Sequence, residues 1–340
     1  MRYQTFGRRT GLRVSEYALG TANFGTGPTA AGTDGARQVF DAFADAGGTT
    51  IDTSNRYQGG QSESLLGDLL TGRRDQFVVI TKYTSAVGET RPGMTGNGRR
   101  TMVRSLEESL DRLKTDYVDV FMPHFPDQIT PMDEIRAGLD DLIRAGKIRH
   151  GALSNFPAWR VAGAVVGRSP VIGIQTEYSL AERSGERELL PMADAHGLGV
   201  LLYSPLAGGL LTGKYRQGET GRLSARGFTT SGQQDAVLDT VLAIAAELEV
   251  GPVQVALAWL RQRSNRAATA LIPIVGARTL AQLEEYLRAL DLELTPEQYR
   301  RLDEVSSVVL GTPHEDVLGA LQHGLDGDRS VLRPPAVPAI

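Results

Sequence analysis

The run that decides the fold is Phe77-Val78-Val79-Ile80-Thr81-Lys82, a short β-branched stretch that ends on a charged side chain. Similar runs lie on either side of it in the sequence. One ends at Asp52, five residues before Tyr57, and another ends just before His124. Barrel enzymes keep their chemistry at the carboxyl ends of parallel strands. The pattern therefore predicts that Asp52, Tyr57, Lys82 and His124 lie together at one end of the sheet, provided that neighbouring strands bring their carboxyl ends together.

Outward from this run, short apolar stretches alternate with amphipathic helical stretches along the whole chain, which is typical of βα units in a parallel sheet. The predicted strands are Tyr17–Gly20, Thr49–Asp52, Phe77–Lys82, Tyr117–Met122, Ile148–Ser154, Val171–Thr176, Gly199–Ser204 and Ala270–Val275. Eight such units favour an α/β fold of the closed (β/α)₈ TIM-barrel type, with an open doubly wound sheet as the alternative. A hairpin is predicted around Gly7 to Gly11, and additional helices near Asp235–Glu249 and Pro296–Ser307.

Length and composition set limits on the class of protein. The 340 residues are 41% hydrophobic and 22% charged, with a net charge of −4 and no cysteine. We predict a single domain over 1–340, whose C-terminal tail at 311–340 is either a mobile end or a substrate flap. Dispersed arginines argue against nucleic-acid binding, and the absence of a long apolar run argues against a membrane protein or a signal peptide. A cytoplasmic location is expected.

Two segments are candidates for phosphate binding. No G-x-G-x-x-G opens a helix after a strand, so a Rossmann domain is unsupported. The segment Gly208–Lys214 fits the first part of a P-loop, but Tyr215 stands where the metal-binding Ser or Thr should be. The sequence therefore argues against an NTPase. The glycines of this segment and Lys214 still suit a phosphate, although a flexible surface loop is the plainer interpretation. Arg278 precedes a predicted helix and is either a phosphate ligand or a solvated first-turn residue.

Polar and aromatic side chains close the later strands. Ser154 and Asn155 end the fifth strand and Gln175 ends the sixth, where they suit recognition of a carboxamide or, for the first two, a helix cap. Tyr203 ends the seventh strand, either to stack on a flat ring or to pack. No local His and carboxylate spacing of the H-E-x-x-H kind occurs, so no metal site is predicted.

Taken together, the chain resembles the aldo-keto reductase family, close to its potassium-channel β-subunit-like branch. The matching stretches are Leu19-Gly20-Thr21, Ile51–Tyr57, Gln61-Ser62-Glu63, Thr81-Lys82, Tyr117-Val118-Asp119, His124, Ser154-Asn155-Phe156, Tyr203–Leu206, Gly213-Lys214 and Gly276-Ala277-Arg278. They cover nearly the whole chain in family order. The resemblance implies a (β/α)₈ barrel that holds NADP(H) across its C-terminal face and reduces an aldehyde or ketone.

The resemblance also implies catalytic roles. Tyr57 would be the general acid, Lys82 and Asp52 would tune it, and His124 would orient the substrate carbonyl. These roles agree with elementary chemistry, because a nearby ammonium stabilises a phenolate and so makes the phenol a better proton donor. The hydride itself would come from the cofactor.

Cofactor contacts are implied over much of the rim. Ser154, Asn155 and Gln175 would hold the carboxamide, and Tyr203 would stack on the nicotinamide ring. The loop after the seventh predicted strand would hold the pyrophosphate, and the loop after the eighth would enclose the 2′-phosphate. The implied residues are Thr21, Asp52, Ser154, Asn155, Gln175, Tyr203, Ser204, Pro205, Leu206, Lys214, Gly276, Arg278, Gln282 and Glu285. Tyr286 stands where related sequences usually have Asn, so a preference for NADPH rests mainly on Arg278.

The substrate pocket is predicted to be apolar and to accept a small-molecule carbonyl. Its candidate lining residues are Phe24, Tyr57, Met122, His124, Phe125 and Phe228. Two other functions stay open. One is a cofactor-sensing regulatory subunit without turnover, against which His124 argues because such subunits lack it. The other is a reductase of nucleotide-linked sugars. Nothing in the sequence indicates an oligomer.

Overall fold

Eight parallel strands close into a barrel, which confirms the predicted architecture. The computed structural model describes residues 1–317 except 89, 92, 219, 220, 222, 224–226 and 228. The strands are β1 (Tyr3–Thr5), β2 (Arg13–Ser15), β3 (Ala18–Gly20), β4 (Thr50–Asp52), β5 (Val78–Tyr83), β6 (Val118–Pro123), β7 (Ile148–Ser154), β8 (Val171–Glu177), β9 (Gly199–Tyr203) and β10 (Leu271–Val275). In the barrel, β3 to β10 follow one another in sequence order, and β10 pairs with β3 to close the ring.

Helices alternate with the barrel strands and pack outside them. They are α1 (Gly32–Asp45), α2 (Gln61–Leu70), α3 (Arg99–Leu113), α4 (Met132–Arg144), α5 (Ala158–Val165), α6 (Leu189–His196), α7 (Gly232–Glu247), α8 (Pro252–Ser264), α9 (Leu280–Arg288) and α10 (Pro296–Val305). The additional helices predicted near 235–249 and 296–307 are α7 and α10. Local signals set their starts, since Ser231 and Thr295 each form a capping box with the glutamine three residues later.

The strands divide the apolar residues between two clusters. One cluster lies between the barrel and the helices and includes Ile51 and Val79. The other fills the barrel interior and includes Ile80, Val120 and Met122. Side chains alternate along a strand, so a residue two positions after an interior one also faces inward. By this alternation, Lys82, two residues after Ile80, also points into the barrel, near the carboxyl end of β5.

The predicted N-terminal hairpin closes the opposite end of the barrel. Strands β1 and β2 pair antiparallel, and Phe6, in the turn that connects them, is almost completely buried. Its ring lies against Gly173 in β8 and Gly199 in β9, where an added Cβ would come within 2.4 Å of the ring. Only glycine fits beneath Phe6 at these two positions. The amino end is thus sealed, and the carboxyl ends of the strands are left for a site.

The predicted absence of a membrane-spanning helix and the predicted C-terminal tail can be compared only with the described residues. In the described ranges no single helix has the length and apolarity needed to cross a bilayer; α7 and α8 would satisfy that test only as a pair, and they are bent by 102°. Of the tail predicted at 311–340, residues 318–340 lie outside the described residues. The flap remains a prediction.

Candidate active site

Lys82 is the centre of the site at the carboxyl ends of β4 and β5. Its side chain is fully buried, and Nζ donates to Asp52 Oδ2 at 2.9 Å and to the carbonyl oxygen of Thr53 at 2.7 Å. The same nitrogen lies 3.5 Å from the Tyr57 hydroxyl and 5.1 Å from the centroid of its ring. Parallel pairing of β4 with β5 makes these contacts possible. The structure therefore brings the predicted carboxylate, ammonium and phenol into one hydrogen-bonded chain.

Burial and charge set the protonation of this chain. Burial lowers the pKa of Lys82, but the charges and hydrogen bonds of Asp52 and Tyr57 together more than offset it, so the pKa lies above its ordinary value and the ammonium stays charged. Burial raises the pKa of Tyr57, and the charge of Lys82 opposes that rise. Tyr57 consequently holds its proton at neutral pH beside a cation that would stabilise its anion. A phenol in this state is chemically suited to donate a proton.

His124 faces Tyr57 from the end of β6. The two rings meet edge to face, with centroids 5.8 Å apart and an interplanar angle of 77°. Ser54 Oγ lies 3.1 Å from His124 Nδ1, which leaves Nε2 as the other polar atom of the ring. Burial, followed by the charges of Lys82 and Arg56, lowers the pKa of His124 to about 2. The imidazole is therefore neutral at physiological pH and has one N–H to donate.

Amide side chains on β7 and β8 extend the site around the rim. The Gln175 amide nitrogen donates to Asp52 Oδ1 at 2.8 Å, which joins the sixth barrel strand to the second. Asn155 Nδ2 donates to the carbonyl oxygen of His124 at 3.0 Å and to Ser154 Oγ at 3.1 Å. Tyr203 donates its hydroxyl to Asn155 Oδ1 at 2.9 Å. The side chain of Asn155 is thus fully hydrogen-bonded within the protein. The side-chain carbonyl oxygen of Gln175, in contrast, accepts no hydrogen bond from the described residues.

The loop after β9 carries the predicted pyrophosphate residues. Ser204, Gly208 and Gly209 all have left-handed backbone angles, with φ of 54°, 64° and 95°. Left-handed residues in such a turn direct backbone N–H groups to one side and form concave anion sites. Tyr215 closes the turn by donating to the carbonyl oxygen of Gly208 at 3.0 Å, and Lys214 Nζ lies 5.1 Å from the centroid of the Tyr215 ring. The loop is a folded, positively charged turn.

The predicted 2′-phosphate residues lie at the start of α9. Thr279 caps this helix by accepting from the backbone N–H of Gln282, and Gln282 Oε1 accepts from the backbone N–H of Arg278 at 2.9 Å. Among the described residues, the Arg278 guanidinium has no ion-pair partner. Gly276 is exposed just before it, and Glu285 is half-buried one turn along the helix. A free cation at a helix N-terminus suits an anionic ligand.

Several predicted contact residues turn out to lie in the protein interior. Thr21 is fully buried, and its hydroxyl interacts with the carbonyl oxygen of Asp52 and with Ser62. Pro205 is buried and Leu206 is half-buried in the turn that follows β9. Tyr286 is also buried, packed in the core that covers α9. Its position in the core gives a structural reason for an aromatic residue there.

Two residues predicted to line the substrate pocket lie in the protein interior. Phe24 and Met122 are completely buried, the first in the core between barrel and helices and the second inside the barrel, so neither offers surface to a ligand. Phe125 differs from them, because it is half-buried and stacks on His124 with centroids 4.4 Å apart. Phe228 lies outside the described residues. Among the described residues, Tyr57, His124 and Phe125 form an aromatic cluster beside Lys82.

Sequence reasoning gave no role to three residues around the chain of Asp52, Lys82 and Tyr57. Ser54 contacts His124, and Arg56 lies over the Phe125 ring at 5.8 Å from its centroid. Glu63 is fully buried, where it accepts from Thr81 and pairs with Arg112 at 2.8 Å. The sequence held a signal for Ser54, because the alternation of side chains along a strand, continued past Asp52, places the second residue after it on the same side.

Gln175 and Ser154, at the carboxyl ends of β8 and β7, offer polar atoms that fit the carboxamide of a nicotinamide dinucleotide. The carbonyl oxygen of Gln175 has no hydrogen-bond partner in the described part of the chain, although the residue is 2% exposed. An acceptor left open at the carboxyl ends of the strands is available to a ligand donor. With Ser154 beside it, the pair matches the donor and acceptor atoms of a carboxamide. The two cationic loops occur one and two strands further on, so these residues fit the group. Of the described residues, none form a cluster of three or more metal-ligand side chains.

Comparison with known proteins agrees with this geometry. The model of the Aldo/keto reductase family matches residues 17–307. An uncharacterized oxidoreductase, YrpG, of Bacillus subtilis is 36% identical over 322 residues, covering 90% of this chain and 96% of the relative. An aryl-alcohol dehydrogenase [NADP(+)] of Phanerodontia chrysosporium is 32% identical, covering 89% and 86%. A norsolorinic acid reductase of Emericella nidulans is 32% identical, covering 89% and 81%.

These relatives are oxidoreductases by name, and they do not specifically indicate the potassium-channel β-subunit-like branch. The match extends over nearly the whole barrel, from the start of β3 to α10. The chain is an oxidoreductase, and it belongs to the aldo/keto reductase family.

Proposed function

We propose that this protein reduces an aromatic aldehyde or ketone to its alcohol with NADPH. The observation that carries the proposal is the contact of Lys82 with both Asp52 and Tyr57, opposite a neutral His124. An aromatic substrate is favoured by the half-exposed Phe125 and by the names of two relatives, an aryl-alcohol dehydrogenase and a norsolorinic acid reductase. NADPH is favoured by Arg278 and by the NADP(+) in the name of the first relative.

In the proposed mechanism, Tyr57 supplies the proton. Its hydroxyl transfers that proton to the carbonyl oxygen as negative charge develops there. Lys82 then stabilises the phenolate, because its ammonium is 3.5 Å from the oxygen. Asp52 keeps the ammonium charged and fixes its position through a hydrogen bond of 2.9 Å to Oδ2 and an ion-pair contact of 2.8 Å to Oδ1. When bound, the reduced nicotinamide supplies the hydride.

His124 is assigned the role of a neutral hydrogen-bond donor to the carbonyl oxygen. A cationic imidazole here would be repelled by the charges of Lys82 and Arg56. Because the pKa of His124 is low, the imidazole is neutral and this repulsion does not arise. With Ser54 at Nδ1, the Nε2–H is free to direct the carbonyl toward Tyr57. A fixed donor aimed at the developing charge is a large source of rate enhancement.

Gln175 and Ser154 would hold the carboxamide, and Tyr203 would lie against the ring. The turn from Ser204 to Lys214 would bind the pyrophosphate through backbone N–H groups and one ammonium. Arg278 and the N-terminus of α9 would bind the 2′-phosphate. Asn155 is expected to act through its neighbours, because its side chain is already engaged by His124, Ser154 and Tyr203.

The decisive experiment compares Tyr57→Phe with the unmodified protein in NADPH oxidation with a panel of aromatic aldehydes. Loss of the acidic proton should reduce kcat by about 100-fold or more, the scale of general acid catalysis. Tyr117→Phe is the matched control, since Tyr117 precedes β6 at the opposite end of that strand and stacks with Arg74 and Arg149. NADPH binding, followed by fluorescence, should persist in both variants.

Two outcomes would contradict the proposal. Retained turnover in Tyr57→Phe would remove Tyr57 from the mechanism. Tight NADPH binding by the unmodified protein, without turnover of any carbonyl, would favour the cofactor-sensing alternative. Including a sugar-nucleotide substrate in the same panel tests the third possibility.

A further inference from the structure

Arg56 is a cation at the edge of the carbonyl site whose charge the proposed mechanism does not use. It immediately precedes Tyr57 in the loop that leaves β4, and its side chain is exposed. The guanidinium carbon lies 5.8 Å from the centroid of Phe125, and the same ring stacks on His124 with an interplanar angle of 13°. Phe125 therefore contacts both Arg56 and the proposed carbonyl-binding histidine.

The charge of Arg56 is not balanced within the site. Asp52 and Lys82 neutralise each other at 2.8 Å, and Tyr57 and His124 are both uncharged at neutral pH. In the parts of the chain that the structure describes, the Arg56 guanidinium makes no hydrogen bond and has no carboxylate partner. Its contribution to the pKa values of both Tyr57 and His124 shows that its field reaches the two groups that would hold the carbonyl.

Other arginines near the barrel strands differ from Arg56 in this respect. Arg74 pairs with Asp119 at 2.8 Å, and Arg112 pairs with the buried Glu63 at the same distance. Those guanidinium groups have a structural partner that explains them. A cation without such a partner beside an aromatic surface suits a planar anion, because the five N–H donors of guanidinium can bind a carboxylate in bidentate fashion.

We propose that Arg56 binds an anionic group on the substrate, so that the enzyme prefers aromatic aldehydes carrying a carboxylate over otherwise matched neutral ones. The inference rests on the proposed carbonyl reduction, since it places the aldehyde between Tyr57 and His124. Phe125 would contact the aromatic ring, and Arg56 would contact the carboxylate at its far side. Arg56 would then determine specificity without taking part in proton transfer.

A matched pair of substrates tests this preference. The pair is 4-carboxybenzaldehyde and its neutral methyl ester, with the 3-substituted pair measured in parallel. The quantity compared is the ratio of kcat/KM for acid to that for ester, because intrinsic reactivity cancels when one ratio is compared between proteins. In Arg56→Gln this ratio should fall at least tenfold, whereas Arg56→Lys should retain most of it. Raising the salt concentration should also lower the ratio in the unmodified protein.

Arg37→Gln is the control for net charge, because Arg37 is an exposed residue of α1 and its replacement changes the total charge equally. It should leave the ratio within about twofold. An unchanged ratio in Arg56→Gln, with both aldehydes still reduced, would overturn the inference and leave the proposed function standing. Failure of the unmodified protein to reduce either aldehyde would overturn both. Circular dichroism of each variant checks that it is folded.

Discussion

The amide nitrogen of Gln175 on β8 donates a hydrogen bond to Asp52 Oδ1 on β4, at 2.8 Å across the mouth of the barrel. Asp52 is therefore held from two sides, by the ammonium of Lys82 and by this amide. The carbonyl oxygen of the same Gln175 is the acceptor proposed for the cofactor. One side chain thus connects the proposed carboxamide site to the group that keeps Lys82 charged.

Replacing Gln175 should consequently affect both cofactor binding and turnover. Gln175→Leu removes the amide at similar size, and Gln175→Glu places a second carboxylate against Asp52, where like charges repel. We expect the NADPH Kd to rise about tenfold in the leucine variant, which corresponds to one lost hydrogen bond in a buried site. We also expect kcat to fall in both variants, more in the glutamate one. Fluorescence titration and steady-state rates measure the two effects, and an unchanged kcat in both would show that the contact with Asp52 has no role in turnover.

Ser54 is expected to fix the tautomer of His124. Its Oγ is 3.1 Å from Nδ1, whereas its distance to Asn55 Oδ1 is 3.5 Å, so the histidine is the nearer acceptor. Ser54→Ala should reduce kcat/KM by about tenfold, in line with the loss of one orienting hydrogen bond, while Ser54→Thr should restore most of it. Nitrogen NMR of histidine-labelled protein should find Nε2 protonated in the unmodified enzyme. A protonated Nδ1 there would contradict the assignment.

His124 should also make the protein sensitive to acid. Its pKa is about 2 in the folded protein and near 6.5 in an unfolded chain. Between these values the unfolded chain binds a proton that the folded protein does not, so stability is lost as pH falls below 6.5. From pH 7 to pH 5 this group alone should lower the free energy of unfolding by about 2 kcal/mol. Urea unfolding at pH 7, 6 and 5 should show a smaller loss in His124→Gln than in the unmodified protein, and parallel curves would refute the assignment. His196→Gln, at the end of α6, is the control.

The barrel itself was predictable because each βα unit carries its own local pattern. The run quoted as Phe77–Lys82 forms β5 at Val78–Tyr83, a shift of one residue at each end. Strand ends move in this way because hydrogen bonding to neighbours decides the last paired residue, and the sequence of one strand does not contain its neighbours. Likewise the hairpin around Gly7 to Gly11 was predicted, but its function as a plug beneath Gly173 and Gly199 depends on contacts distant in sequence.

The site was predictable where strand order alone brings residues together, as for Asp52 and Lys82 on adjacent strands. It was not predictable where a hydrogen bond spans the barrel, as between Gln175 and Asp52, which are 123 residues apart. The interior positions of Phe24 and Met122 were not predictable for a different reason. A sequence shows that Phe24 and Met122 are hydrophobic near strand ends, but it does not distinguish a side chain lining a cleft from one filling the core.

The plug formed by Phe6 gives a test of the fold. Gly199→Ala adds a Cβ that would lie 2.4 Å from the Phe6 ring, so we expect a loss of about 1–3 kcal/mol in the free energy of unfolding through overpacking. Phe6→Ala should cost about 3–5 kcal/mol because it leaves a cavity. The double variant should lose less than the sum of the two single losses, since the added methyl enters the vacated space. Strictly additive values from denaturant unfolding would show that Phe6 does not press on β9.

Arg278 should determine the preference for NADPH over NADH. The two cofactors differ by the 2′-phosphate, and Arg278 is a cation without an ion-pair partner among the described residues at the start of α9. Removing a hydrogen bond to a charged group typically costs about 1.5–3 kcal/mol, so Arg278→Gln should raise the Kd for NADPH by roughly 10- to 100-fold. The Kd for NADH should change much less. Arg288→Gln lies on the same helix with its charge beside Glu284, and it should leave both values nearly unchanged. Equal weakening of NADPH and NADH in Arg278→Gln would show that the residue supports the loop and does not read the phosphate.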